Sequence, residues 1–388
     1  MDEARELDVV LWGATGFTGR LVAAYLARRH RPKRWAIAGR DAARLDALAE
    51  ALRDETEYGA APRRLTADLA RPESLEAMAR RARVVLSTAG PFTRIGEPVV
   101  AACVRARTDY CDITGEPAFV DAIERRWSAP ASDAGVRLVP CCGFDSVPAD
   151  LGVWLTVRAL PRGVPLRVDG YVHARGGFSG GTWQSALEAM AAHRPFARRA
   201  RSESAPNGRR ARAVRPGVGY RRDRSAWTAP LPTIDVDVVL RSARLLDQYG
   251  PDFTYGHHVL VRRFTTLLGG AAFVGATYAA SHLGPLRRWL QSLRPAGTGP
   301  SPEHRRRSRF TVWIEGRGGG RRATTEIRGG DAGYEETAKM AAEAALCLAL
   351  DPPATAHRGL LTPAVAMAPR LVERLRAAGL VIETTEHG

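Results

Sequence analysis

Three glycines at every third position are the feature near the start of the sequence with the clearest chemistry. They follow the apolar residues 9–11 in "VVLWGATGFTGR". In a strand–turn–helix unit, the first glycine permits a tight turn, the second lets the backbone approach a pyrophosphate, and the third lets the helix pack close to the strand. The N–H groups at the helix N-terminus then face the phosphates. The spacing predicts a dinucleotide site formed by Gly13, Thr15, Gly16, Phe17, Thr18 and Gly19.

The end of the second predicted strand indicates which dinucleotide binds. An acid there would bind the ribose 2′-hydroxyl of NAD, whereas an arginine suits the 2′-phosphate of NADP. The sequence reads "AIAGRDAARL", which places Arg40 at this point. We therefore expect NADP(H). The alternative is a solvated arginine at a helix start, with Asp41 as the N-cap.

Small residues follow the fourth predicted strand in "LSTAGPF". A parallel sheet reverses its strand order near this point, and the ribose and nicotinamide lie there. We therefore expect Ser87, Ala89, Gly90 and Pro91 near the cofactor. The alternative is a tight turn that contacts no ligand.

The pattern of the chain predicts an α/β fold with two domains. Residues 1–150 alternate short apolar runs with amphipathic stretches, which is typical of a Rossmann-like parallel sheet domain. From residue 166 the pattern changes to period-two alternation, in "LRVDGYVHA", "TIDVDVVLRS", "RFTVWIEGRG" and "RRATTEIRGG". Residues 151–333 are therefore expected to form an inserted α+β domain built on a largely antiparallel sheet. Amphipathic helices in residues 334–388 are expected to complete the first domain.

Charge and cysteine content limit the classes of function. The net charge is +16, and residues 194–224 hold eleven arginines against two acids. This basic loop predicts an acidic partner, either an acyl carrier protein or an anionic membrane, unless it is only solvated. Nucleic acid is not expected, because no recognition module accompanies the arginines. The five cysteines lack zinc spacing, so we expect reduced thiols, no metal and a cytoplasmic location.

Residues 264–286 form an uncharged run, with two arginines before it and two after it. Its length approaches that of a membrane span, but glycines and polar residues interrupt it. Three interpretations remain open. The run could be a single span, a core or pocket-lining pair of helices, or an interfacial segment that meets lipid or a long acyl chain.

Several segments together resemble the saccharopine dehydrogenase-like oxidoreductases. They are "GATGFTG", "AGR", "TDYCDITGE" and "CCGFDSVPADLG", while "GGFSGGTWQS" and "GGDAGYEETAKMAAEAAL" resemble the branch of trans-acting enoyl reductases. The resemblance implies NADPH and an unsaturated acyl chain on a polyketide synthase as the substrate. One departure is Phe92, because relatives commonly carry tyrosine at this position.

Reduction of a conjugated double bond needs a hydride, a group that stabilises the enolate oxygen, and a proton donor. The hydroxyls of Thr182 and Tyr110 are candidate oxyanion donors. Either Tyr110 or a water held by Asp145 is the candidate proton source. For Asp112 and Glu116, a site role and a solvated loop are both open. The alternative functions are an amino-acid-forming reductase and a non-catalytic NADP-binding sensor or scaffold, and an oligomer is possible in each case.

Overall fold

The computed structural model describes residues 5–29, 34–55, 61–175, 203–204, 208–214, 217–293 and 299–387. The chain divides into two compact units. Unit 1 contains Met1–Phe144 and Tyr334–Ala378, and unit 2 contains Asp145–Gly333 and Gly379–Gly388. Unit 1 thus ends six residues before the expected boundary. The last residues of the chain, which were expected in the first domain, belong to unit 2.

Unit 1 is built on a seven-stranded parallel sheet in the order β15-β6-β5-β4-β1-β2-β3. The strands are β1 Leu7–Trp12, β2 Trp35–Gly39, β3 Arg63–Thr66, β4 Ala82–Ser87, β5 Asp109–Asp112, β6 Arg137–Val139 and β15 Gly359–Leu360. Most of these strands are buried, as the near-continuous apolar runs predict for a parallel sheet covered on both faces. The expected Rossmann-like arrangement is confirmed, and β15 is one strand more than the sequence pattern predicts.

Helices connect these strands. They are α1 Phe17–Arg29, α2 Ala42–Arg53, α3 Pro72–Arg80, α4 Phe92–Ile95, α5 Glu97–Arg105, α6 Pro117–Asp133, α12 Glu335–Leu350, α13 Pro363–Met367 and α14 Arg370–Ala377. The last three lie far along the chain, yet they are part of unit 1.

A buried carboxylate joins the C-terminal helices to the start of the chain. Glu343 of α12 accepts a hydrogen bond from the Tyr25 hydroxyl at 2.6 Å, and Arg374 of α14 donates to it at 3.2 Å. Arg374 also donates to both carboxylate oxygens of Asp351, at 2.6 and 2.9 Å. Because a buried charge is costly without partners, these bonds fix α12 and α14 in unit 1.

A second buried carboxylate joins the ends of two neighbouring strands. Asp112 is fully buried at the end of β5, where its Oδ1 accepts from the N–H groups of Thr114 at 2.9 Å and Cys141 at 3.0 Å. Its Oδ2 accepts from the Tyr110 hydroxyl at 2.8 Å. Burial raises the pKa of Asp112 to about 7, although these donors oppose the shift.

Unit 2 contains a nine-stranded mixed sheet, in which β10-β11-β12-β7-β13-β14-β16 run in this order and β9 pairs with β12 and β8. The strands are β7 Leu166–Arg175, β8 Glu203–Ser204, β9 Arg210–Ala213, β10 Gly219–Arg221, β11 Ala226–Pro230, β12 Asp252–Val261, β13 Arg309–Gly318, β14 Arg321–Gly329 and β16 Val381–His387. Most pairs are antiparallel, as expected. The exceptions are β12 with β7 and β12 with β9, which are parallel.

The helices of unit 2 include one that the sequence pattern does not predict. They are α7 Val147–Arg158, α8 Asp235–Leu245, α9 Phe264–Ser281, α10 Gly284–Leu293 and α11 Pro302–Arg307. The segment "TIDVDVVLRS", expected as a strand, begins α8, so that expectation is wrong. Ile234, Val238 and Val239 are buried at helical spacing, and two aspartates in the first turn favour the helix N-terminus.

Within the described residues, no helix combines the length and the hydropathy needed to cross a membrane. The interpretation of residues 264–286 as core is also wrong, because the large apolar side chains of α9 face solvent, Leu268 at 61% exposure among them.

The raised pKa of Asp112 predicts a pH-dependent stability for the protein. The folded state holds the Asp112 proton more tightly than the unfolded chain, whose aspartate has the usual pKa of 3.8. Stability from this group is therefore complete below about pH 4 and is lost as pH rises to about 7. Asp112→Asn keeps the two N–H bonds to Oδ1, presents an amide N–H in place of Oδ2 to the Tyr110 oxygen and removes the ionisation. It should therefore reduce the fall in melting temperature between pH 4 and pH 7.

The matched control is Asp46→Asn, because Asp46 is exposed on α2. Melting temperatures of the three proteins are compared at intervals across this pH range. Parallel curves for wild type and Asp112→Asn would show that Asp112 does not titrate there.

Candidate functional site

The site lies in unit 1, where the strand order of the sheet reverses. β1 pairs with β2 on one side and with β4 on the other, and β4 continues to β5. Ligands of open α/β sheets bind outside the carboxyl ends of the strands at such a point. Here the loop after β4 is tied to the end of β1, because Thr88 donates its N–H to the Trp12 carbonyl at 2.9 Å and its hydroxyl to the Gly13 carbonyl at 3.2 Å.

A side chain would have a different effect at each of the three glycines of the turn. Gly13 has φ +81°, and a Cβ there would lie 2.8 Å from the Ala89 nitrogen. A Cβ on Gly19 would lie 2.2 Å from the Gly13 carbonyl oxygen. Gly16 is less constrained, since a Cβ would meet only that oxygen, at 3.3 Å. The protein alone thus explains Gly13 and Gly19, whereas Gly16 leaves space beside the turn.

The other predicted residues of this turn are partly exposed around the N-terminus of α1. Thr15 precedes α1, and Phe17 and Thr18 are its first residues. The Phe17 ring packs edge-on against Tyr334, with ring centroids 5.0 Å apart. The turn thus presents helix N–H groups beside a position without a side chain, which is the arrangement that a pyrophosphate needs.

Arg40 and Asp41 follow β2 and have separate surroundings. The Asp41 carboxylate accepts from the Arg44 N–H at 3.0 Å and is the N-cap of α2. Arg40 is exposed, and none of the ion pairs among the described residues includes it. An exposed guanidinium without an ion pair fits the 2′-phosphate of NADP, while the neighbouring acid caps a helix.

The residues predicted after β4 differ in accessibility. Ser87 is completely buried, so its side chain lies in the interior of unit 1. Ala89 and Pro91 are partly exposed and Gly90 is exposed. Of this group, only the last three present surface to a ligand, and their contacts with a cofactor stay predictions.

Three polar residues in β5 and in the segment after it have structural roles. Tyr110 is fully buried and donates to Asp112, and burial raises its pKa well above the usual value. Glu116 accepts from the N–H groups of Phe92 at 3.0 Å and Thr93 at 2.8 Å, at the start of α4. The Tyr110 hydroxyl is thus engaged inside unit 1, and the catalytic role predicted for it stays a prediction. Neither Asp112 nor Glu116 lies in a solvated loop.

The other two catalytic predictions remain predictions. Asp145 is exposed and is the first residue of unit 2. Thr182 lies outside the described residues, as does the whole of the segment "GGFSGGTWQS". Among the described residues, no group of histidine, cysteine or acidic side chains is arranged to hold a metal ion. All five cysteines are buried and none forms a disulfide.

Unit 2 contains a buried polar cluster that the sequence analysis did not identify. The Tyr255 hydroxyl lies 2.7 Å from His257 Nδ1, and His257 Nε2 lies 3.6 Å from an Asp235 carboxylate oxygen. Burial lowers the pKa of His257 to about 3 and raises that of Asp235, so burial favours the neutral form of each group. The only sequence signal was the pair "HH" in an apolar segment.

Comparisons with known proteins agree with this site. The family described as "Saccharopine dehydrogenase NADP binding domain" matches residues 9–139. The "Putative trans-acting enoyl reductase" of Mycobacterium tuberculosis is 39% identical to the chain, and the match covers 98% of both proteins. The "Trans-acting enoyl reductase" of Mycobacterium ulcerans is 36% identical over the same shares.

A solved structure has a similar fold. It is the saccharopine dehydrogenase (L-Glu forming) of Saccharomyces cerevisiae, with a TM-score of 0.52 and 13% identity over 98% of this chain and 100% of that one. The family match and the relatives that align over 98% of the chain agree with the glycine turn and the exposed Arg40. The chain belongs to the saccharopine dehydrogenase-like family of NADP-dependent oxidoreductases, in the branch of the mycobacterial trans-acting enoyl reductases.

Proposed function

We propose that this protein uses NADPH to reduce a carbon–carbon double bond conjugated to the thioester carbonyl of a polyketide or lipid-like acyl chain. The observation that supports this most is the 39% and 36% identity to trans-acting enoyl reductases over 98% of the chain. The 13% identity to saccharopine dehydrogenase supports the fold alone. The amino-acid-forming reductase and the non-catalytic sensor are outcomes that the assay below distinguishes.

In this proposal unit 1 holds the cofactor, which supplies the hydride when bound. The turn from Gly13 to Gly19 binds the pyrophosphate through N–H groups, and Arg40 binds the 2′-phosphate. The loop at Ala89, Gly90 and Pro91 lies at the switch point and positions the nicotinamide end.

The remaining chemistry is a negative charge on the enolate oxygen and a proton for the α carbon. We assign neither role to Tyr110, because its hydroxyl is buried and donates to Asp112. Thr182 and the backbone N–H groups of its segment remain the proposed oxyanion donors. Asp145 is proposed to hold the water that delivers the proton.

The reaction is tested with purified protein, NADPH and a short 2-enoyl thioester. We expect one NADPH to be oxidised for each saturated thioester formed, followed by absorbance and mass spectrometry. Gly16→Val is the control that should not bind NADPH, because its side chain fills the space proposed for the pyrophosphate. Its Cβ would meet only one protein atom, so unit 1 should stay folded. Turnover of an oxo acid with an amine, but not of the enoyl thioester, would support the amino-acid-forming reductase. NADPH binding without turnover of either would support the sensor.

Selectivity for NADPH tests the role of Arg40. Arg40→Ala should weaken the binding of NADPH by about 1.5 to 3 kcal/mol and leave the binding of NADH nearly unchanged, because only NADPH has a 2′-phosphate. Arg44→Ala removes a neighbouring exposed guanidinium from α2 and serves as the control. Dissociation constants for both cofactors are measured by calorimetry. An equal loss for the two cofactors would remove Arg40 from the site.

We also propose that a carrier protein presents the acyl chain, and that its acidic surface binds a row of basic residues in unit 2. The row consists of Arg212, Arg167, Arg317, Arg322 and His387. Four of the six arginines in the described part of the expected basic loop are engaged within the protein, and of these four only Arg212 belongs to the row. Arg221 and Arg224 pair with Glu315 at 2.7 and 2.6 Å, and Arg212 pairs with Asp252 at 2.7 Å.

The row crosses the exposed end of the sheet in register. Thr254 pairs with Arg212 and Arg167, Arg317 pairs with Arg167 and Arg322, and Arg322 pairs with His387. Like charges directly opposite each other destabilise a sheet. No ion pair within the described residues includes Arg317, Arg321 or Arg322, although Arg167 pairs with Asp169 at 3.1 Å.

A cavity adjoins this row. It has a volume of about 510 Å³ and is lined by five arginines, with Asp252 as its one acid. An anionic partner would relieve the repulsion between the arginines, and its attraction would weaken with salt.

Replacing two of these arginines tests the docking. Arg317→Gln/Arg322→Gln should raise the KM for a carrier-bound enoyl substrate by roughly ten-fold at low salt, with a smaller effect at high salt. The control is Arg105→Gln/Arg306→Gln, which removes two exposed arginines elsewhere. If the KM for a short free thioester rose equally, the row would not be a carrier site.

We also propose that the protein binds peripherally to a membrane and that it forms an oligomer. A membrane surface would bring a lipid-like acyl chain to the enzyme.

A further inference from the structure

The helix α9 buries polar side chains and exposes apolar ones, which is the reverse of a usual surface helix in a water-soluble protein. Its two buried residues are the polar Thr277 and Ser281. Its large apolar side chains face outward, with exposures of 61% for Leu268, 59% for Phe273 and 52% for Val274. A surface helix normally buries its apolar stripe and exposes its polar one. The surroundings of α9 are therefore expected to be apolar.

The exposed apolar side chains are not confined to one stripe. Residues one or five apart do not share a helix face, so Leu268, Phe273 and Val274 point in three directions. A protein partner would cover one face of such a helix. The boundary between headgroups and acyl chains can contact a helix on more than one side, and this arrangement therefore favours lipid over a second protein surface.

The next helix extends this surface and adds aromatic groups. Leu283 between α9 and α10 is 59% exposed, and Trp289 and Leu293 of α10 are 55% and 53% exposed. Tyr278 of α9 is also exposed, at 47%. Tryptophan and tyrosine are favoured at the boundary between water and lipid, because each has an apolar body and a polar group.

The charged side chains within this segment of the chain all have one sign. Residues 262–293 contain no acid, and their four arginines are Arg262, Arg263, Arg287 and Arg288. All four are exposed, and no ion pair within the described residues includes them. Arginines next to an apolar surface reach the headgroup level and attract anionic lipids.

We infer that α9 and α10 form an interfacial anchor that binds the protein to an anionic lipid bilayer. The apolar side chains enter the boundary between headgroups and acyl chains, and the arginines bind the headgroup phosphates. A spanning arrangement is not inferred, since α9 has 18 residues, three of them glycine. This inference specifies the peripheral membrane contact proposed above, and it does not rest on the proposed reaction, because it concerns binding alone.

The test is co-sedimentation of the full-length protein with vesicles. We expect binding to vesicles that contain phosphatidylglycerol and much weaker binding to pure phosphatidylcholine. Leu268→Asp/Val274→Asp should reduce partitioning by at least about ten-fold, since it places two charges in the apolar surface. Arg287→Gln/Arg288→Gln should weaken binding by about five-fold for each arginine, and only to the anionic vesicles.

The control is Leu350→Asp, which places one aspartate on an exposed leucine at the end of α12 in unit 1. It should bind vesicles as wild type does. Unchanged melting temperature and NADPH affinity show that each variant is folded. Failure of the wild type to bind anionic vesicles would overturn the inference. So would a mass measurement in which Leu268→Asp/Val274→Asp converts a dimer to monomer without any change in vesicle binding, because a second copy would then cover this surface.

Discussion

The close approach of two backbone segments at the centre of the unit 1 sheet is the constraint on which the site depends. The turn after β1 and the loop after β4 are joined by hydrogen bonds from Thr88, and a side chain on Gly13 would collide with Ala89. A side chain on Gly19 would in turn collide with the carbonyl of Gly13. The strand, the turn and the start of α1 are therefore held in one geometry, and the space beside Gly16 lies next to the N-terminus of α1.

Unit 1 provides this geometry through contacts far apart along the chain. Glu343 and Arg374 join the C-terminal helices to α1, and Arg137 pairs with Asp109 while donating to the carbonyl of Leu348 at 2.7 Å. These charged groups are buried or half-buried with their partners satisfied, so the removal of one partner would leave an uncompensated charge. The NADP-binding unit is consequently one structure made from two distant parts of the sequence, residues 1–144 and 334–378, and most of unit 2 lies between them along the chain.

The sequence predicted the parts whose physical signals are local. The spacing of Gly13, Gly16 and Gly19 identified the turn, and the apolar periodicity of residues 335–350 identified α12. Long-range pairing left no such signal. Asp112 and Glu116 were expected in solvent or at a ligand, but each accepts backbone N–H groups from a distant segment, which no spacing along the chain reveals. The start of α8 alternates like a strand over its first residues, and only its packing shows that the helical spacing prevails.

The central claim is that the protein transfers a hydride from NADPH to the β carbon of a conjugated acyl thioester. The most direct measurement uses NADPH deuterated at the transferring position and locates the label in the product by NMR and mass spectrometry. The account predicts one deuterium, bound to the β carbon of a saturated thioester. Deuterium on the carbonyl carbon, on a carbon that bears an amine, or absent from any organic product would contradict it.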